Sequence, residues 1–173
     1  ILGVTGGGKE KEYFEKAYKL EKSPVCGFLY ALALSRENKH KDAEKIATTI
    51  VDQVDDEYVR YTIFQFLMSE AILLQNFPEA FKYSRLCLEM AKLNNWSSEI
   101  VESNIHFSMI CIFMGRFEDA SESLIEAEAV SPEAYVKENG RFPVLESTCN
   151  ESGDVVIVTG DKQGSFVRYT FTE

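Results

Sequence analysis

The chain has 173 residues, 45% of them apolar and 27% charged, and carries a formal charge of −10. That balance excludes wholesale disorder, and the length suits one domain with a real core. The excess of acid repels phosphate backbones and anionic lipid, so neither direct nucleic-acid binding nor membrane binding is expected. The charge is uneven: up to Leu93 there are 13 basic and 14 acidic residues, and from Asn94 onward 5 and 14. The acidic half reads as a solvated helix surface, with attraction of a basic partner as the functional alternative. No apolar run approaches the ~20 residues of a membrane-spanning helix, and no basic-then-apolar leader is present, so the expected location is cytoplasmic. The chain starts at Ile1 and not at Met, as expected of a piece of a longer protein. Cys26, Cys87, Cys111 and Cys149 have no zinc or redox spacing, and the first three fall in helical patterns where thiols pack as small apolar groups.

Taken in order, residues 1–8 read as a flexible tail. Gly3-Val4-Thr5-Gly6-Gly7-Gly8-Lys9 has the spacing of a phosphate-binding loop. However, Glu10 stands where a magnesium-binding hydroxyl belongs, and only Ile1 and Leu2 are left for the preceding strand. A nucleotide-binding enzyme is therefore the remote reading. Helical periodicity runs from Lys9 to Asn139. Ser23-Pro24 opens a helix, Glu37-Asn38-Lys39 breaks one, Asp55-Asp56 caps another, and Asn76-Phe77-Pro78-Glu79 starts a fourth. Asn94-Asn95 and Ser97 separate the next pair, Gly115 ends a long helix, and Ser131-Pro132-Glu133 opens a short last one that stops at Gly140. From 140 to 173 the pattern becomes a β-hairpin: Val155–Val158 and Phe166–Phe171 flank the turn Gly160-Asp161-Lys162-Gln163-Gly164. An isolated hairpin is marginal in water, so this one is expected to cap the last helices.

Three segments align on one alanine: Lys41-Asp42-Ala43, Pro78-Glu79-Ala80 and Glu118-Asp119-Ala120, with the alanines 37 and then 40 residues apart. Offsets from that alanine repeat their chemistry. Tyr30, Leu67 and Phe107 stand thirteen before it, Leu34, Ala71 and Cys111 nine before, and Ile50, Cys87 and Ala127 seven after. Self-similarity at such a period signals stacked helix pairs, with a small residue where two helices cross closely. Gly115-Arg116-Phe117-Glu118-Asp119-Ala120, with Pro132 twelve residues on, resembles a tetratricopeptide repeat. Asn76-Phe77-Pro78-Glu79-Ala80 resembles the same turn, His40-Lys41-Asp42-Ala43 does so more loosely, and Tyr13–Leu20 is similar to a repeat's second helix. The resemblance covers about Lys9 to Pro132. The chain departs from it in a spacing above 34 residues, in Met68 and Ser108 at a normally small position, and in having the closing proline only once. It implies an all-α, right-handed solenoid of antiparallel helix pairs over 9–139, followed by the hairpin extension.

Catalytic chemistry is not expected. His40 and His106 lie 66 residues apart without a carboxylate or thiol at ligand spacing. His40, at a helix boundary, reads as solvated, and His106 as an edge or core residue. Glu118, Asp119 and Glu122 share a polar helix face with no apolar pocket. No metal and no cofactor is called for. In the tetratricopeptide family the first helix of each pair lines a concave groove for peptides. Carried onto this chain by offset, that groove is Val25, Phe28, Leu32 and Ser35, then Thr62, Gln65, Ser69 and Ile72, then Glu102, Ile105, Met109 and Ile112. The Lys, Asn and Arg with which some members grip a carboxylate are missing from these places. The set is mainly apolar, and suits an amphipathic helix or an extended apolar peptide of a partner protein. The expected function is an interaction scaffold, with a peptide-sensing array that controls an effector domain outside the segment as the alternative. Either reading leaves room for self-association or a larger complex.

Overall fold

The computed structural model describes residues 7–130, 144–149, 155–160 and 166–171. Its first stretch is all-α: α1 (Gly7–Glu21), α2 (Pro24–Arg36), α3 (His40–Ile50), α4 (Glu57–Leu73), α5 (Phe77–Leu93), α6 (Ser97–Phe113) and α7 (Phe117–Val130). A single 3₁₀ turn, Val51–Gln53, extends α3. Three strands follow, β1 (Val144–Cys149), β2 (Val155–Gly160) and β3 (Phe166–Phe171), paired antiparallel in that order, with Ile157 opposite Ser147 on one side and Tyr169 on the other. No helix among the described residues is long and apolar enough to cross a membrane. The chain forms two compact units, residues 1–90 and 91–173.

Gly7, Gly8 and Lys9 form the first turn of α1, so that helix starts two residues ahead of the boundary read from sequence; residues 1–6 lie outside the described residues. The short helix expected at Ser131-Pro132 and the turn Asp161–Gly164 also lie outside them. Ser23 holds the N-cap position of α2 with Pro24 behind it, but its hydroxyl makes no capping hydrogen bond. Asp56 does cap α4, its carboxylate accepting from the Val59 amide at 3.0 Å.

The break inside each helix pair is the same turn three times. Asn38, Gln75 and Gly115 take left-handed φ values of 60°, 58° and 71°. In each case the following amide reaches back five residues: Lys39 to the Leu34 carbonyl at 3.0 Å, Asn76 to Ala71 at 2.8 Å and Arg116 to Cys111 at 2.8 Å. This is the Schellman closure, which satisfies carbonyls that a helix end would otherwise orphan. Asn95, at φ 55°, repeats the arrangement after α5, with the Trp96 amide on the Ala91 carbonyl at 3.0 Å. At Gly115 a Cβ would meet no atom within 4 Å. Gly115→Ala should therefore cost about 1 kcal/mol through backbone strain alone, read as a lower midpoint in urea at unchanged slope.

Most of the aligned positions are buried, although thirteen before the alanine only Leu67 is, with Tyr30 and Phe107 half-buried. Ala43, Ala80 and Ala120, then Leu34, Ala71 and Cys111, then Ile50, Cys87 and Ala127 are all buried in their own pairs, as are Ala31, Met68 and Ser108. The alanines among them let backbones approach closely.

In the first unit α1 packs on α2, α2 on α3 and α3 on α4. Gly27 sits where three helices meet: a Cβ there would lie 2.9 Å from both Ile50 Cγ2 and Tyr18 Cε2. The core is carried by Ile50, Tyr61, Ile63 and Leu67. Phe64 of α4 stacks on Tyr83 of α5 at 6.1 Å. Lys39 and Lys11 hold the Glu37 carboxyl below the usual carboxylate range, tying α1 to the turn after α2. In the second unit α6 packs on α7 through Val101, Ile105 and Ala127, with Leu124 against them, and Lys92 Nζ meets Glu126 Oε1 at 2.6 Å.

Candidate functional site

The sequence-derived ligand residues lie on α2, α4 and α6, the first helices of their pairs. In the first unit α2 and α4 are neighbours through side chains. Phe28 meets Phe66 edge to face, at a ring separation of 5.6 Å and 85° between planes. Val25 is exposed at the start of α2, while Phe28 and Leu32 are half-buried. On α4 Ser69 is exposed, and Thr62, Gln65 and Ile72 are half-buried. The polar members are already engaged on one side. Thr62 Oγ1 donates to the Tyr58 carbonyl at 2.9 Å, Ser69 Oγ to the Gln65 carbonyl at 3.0 Å, and Gln65 Nε2 to Tyr61 Oη at 3.0 Å.

In the second unit Glu102, Met109 and Ile112 are half-buried. Ile105 is 5% exposed and belongs to the α6–α7 core with Val101 and Ala127. Val101 and Ile105 are one turn apart, so the stripe that meets α7 takes in a position that offset counting assigns to the open face.

One constellation escaped the sequence altogether. Glu70 of α4 is 2% exposed, and its two oxygens are held by two other helices: Ser35 Oγ of α2 donates to Oε1 at 2.6 Å, and His40 Nδ1, at the start of α3, lies 3.0 Å from Oε2. His40 is thus not the solvated residue its boundary position suggested. The pattern lacks the geometry of nucleophilic catalysis, because the carboxylate stands between serine and imidazole instead of the imidazole standing between the other two. What it does is pin three helices at one point. Glu70 lies ten residues before Ala80 on a helix with few other charges, and only its spacing within the apolar run Ile63–Leu74 signals burial.

Asn104 of α6 is fully buried, and neither amide atom has a hydrogen-bond partner among the described residues. A buried amide left unmet costs about 1–3 kcal/mol, so Asn104→Leu should raise the melting temperature by several degrees; a fall would mean that the amide is satisfied by water. Burial pushes the Cys111 thiol up to about 11, which makes it an inert core group and not a nucleophile. Among the described residues no group of three or more His, Cys, Asp or Glu side chains is placed to hold a metal ion.

No protein-family model matches the chain, and no curated protein matches it. Among solved structures, the fold is similar to the crystal structure of BtubC (BKLC) from P. vanneervenii, with a TM-score of 0.59 at 13% sequence identity. The match covers 79% of this chain and 61% of that one, so the present chain spans about three fifths of its length. At that identity the likeness concerns the fold alone.

Proposed function

We propose that the chain is a tetratricopeptide-like solenoid that holds a segment of another polypeptide along the first helices of its pairs. The observation that carries this reading is the repetition itself. Three helix pairs share one turn geometry and one set of buried registers, while α2, α4 and α6 keep half-buried or exposed side chains such as Leu32, Ser69 and Met109 in like positions. Helical repeats use such positions on the first helices of their pairs as binding surfaces. The likeness to BtubC concerns the fold alone and says nothing of what is bound. In this reading Val155–Gly160 and Phe166–Phe171 form a terminal hairpin that covers the end of the array, and the function is an interaction scaffold in place of catalysis.

The test needs no known partner. A displayed library of random peptides selected against the chain should yield binders that lose at least ~tenfold in affinity to Met109→Asp, because a carboxylate in an apolar contact is left unpaired. Failure to enrich any binder, or binders indifferent to this variant, would remove the reading.

A further inference from the structure

We propose that α7 is a strap over the apolar stripe of α6, which opens while the rest of the helical array stays folded. The packing beneath it is thin. α7 buries Ala120, Ser123 and Ala127, with Leu124 half-buried beside them. Its other side is open: Glu118, Ser121, Glu122, Ile125 and Glu128 are exposed, Ile125 by 66%. In the first pair the register seven after the alanine holds Ile50, which closes on Gly27, sixteen before it. In the last pair the same two registers hold Ala127 and Asn104, so a polar side chain stands in place of aliphatic packing. Asn104 is three residues after Val101, which meets α7, and is itself fully buried with neither amide atom partnered among the described residues. Opening of α7 returns that amide to water, so the penalty for leaving it unmet falls on the closed state.

The charges on α7 push the same way. The helix carries Glu118, Asp119, Glu122, Glu126 and Glu128 and no cation. Glu118, Glu122 and Glu126 follow at spacings of four, where like charges repel across one turn. Glu126 and Glu128 also stand near the C-terminal end, which the helix dipole already makes negative. Arg116 answers Asp119 and Lys92 answers Glu126, each at 2.6 Å, but both are exposed surface pairs that hold little. Glu118, Glu122 and Glu128 meet no cation among the described residues. Opening uncovers Val101 and Ile105, on the same helix as Met109 and Ile112. The position of α7 thereby sets how much apolar surface α6 offers.

Native-state hydrogen exchange of the full chain, followed by mass spectrometry, reads the opening. Corrected for intrinsic rates, amides of α7 should exchange at least ~30-fold faster than those of α4. Asn104→Leu removes the unmet amide, and should slow α7 at least ~fivefold while leaving α4 unchanged. Glu122→Lys sits on the exposed side and folds even where a leucine at 104 does not fit. It replaces two repulsive spacings with attractive ones and should slow α7 at least ~twofold. Exchange in α7 as slow as in α4, or slowing of both helices alike by Asn104→Leu, would mean that α7 opens only with the whole chain, and would overturn the proposal. Faster exchange in Asn104→Leu, or an α7 indifferent to Glu122→Lys, would overturn it as well.

Discussion

Ile105→Asp should unfold the α6–α7 pair, whereas Met109→Asp, four residues further along the same helix, should leave it folded. Ile105 is 5% exposed and packed with Val101, Ala127 and Leu124, so a carboxylate there loses its water and gains no partner. The cost of that burial together with the lost apolar contact is about 4 kcal/mol or more, a large part of the stability of a small domain. Met109 is half-buried, and an aspartate there can turn to solvent, for a cost of about 1 kcal/mol. Far-ultraviolet circular dichroism through a thermal ramp separates the two: reduced helicity and an early transition for Ile105→Asp, a nearly native profile for Met109→Asp. A variant pair that melts together would show that Met109 is core as well.

Glu70→Ala should cost about 3 kcal/mol, because it strips two partners, Ser35 and His40, of their shared acceptor and opens a cavity inside the first unit. Glu70→Gln keeps an oxygen for the serine and an amide for the imidazole, and should lose about 1 kcal/mol or less if hydrogen bonding matters more than charge. Urea denaturation followed by tyrosine fluorescence reads both, and comparable losses for the two variants would show that the carboxylate charge itself is required.

The helical architecture was legible because its signals are local. Turn residues such as Asn38 and Gly115 mark helix ends by their own backbone preferences, and the alanines at 43, 80 and 120 report close crossings without reference to anything distant. The strands carried a weaker signal: Val155–Val158 and Phe166–Phe171 are rich in β-branched and aromatic residues, whereas Val144–Cys149, with glutamate, serine and threonine, offers little to separate it from a loop. Side-chain partnerships were not legible at all. Ser35 and Glu70 are 35 residues apart, and nothing in either neighbourhood announces the other. Ile105 shows the limit of counting offsets: a helix with neighbours on more than one side buries a wider arc than a single stripe, and a position on the margin of that arc can fall either way. Gln65 and Ser69 could be assigned to a polar patch from sequence, but only the geometry shows that one Gln65 amide proton goes to Tyr61 and the Ser69 proton to the helix itself.

Site-specific photocrosslinking in living cells tests most directly whether the chain holds another polypeptide on the first helices of its pairs. A benzophenone side chain placed at Ser69 on α4 should trap a polypeptide, identified by mass spectrometry of the adduct, while the same group at Thr48 on the exposed side of α3 should trap little. Adducts in equal yield from both positions, or none from Ser69, would contradict a ligand face on α4.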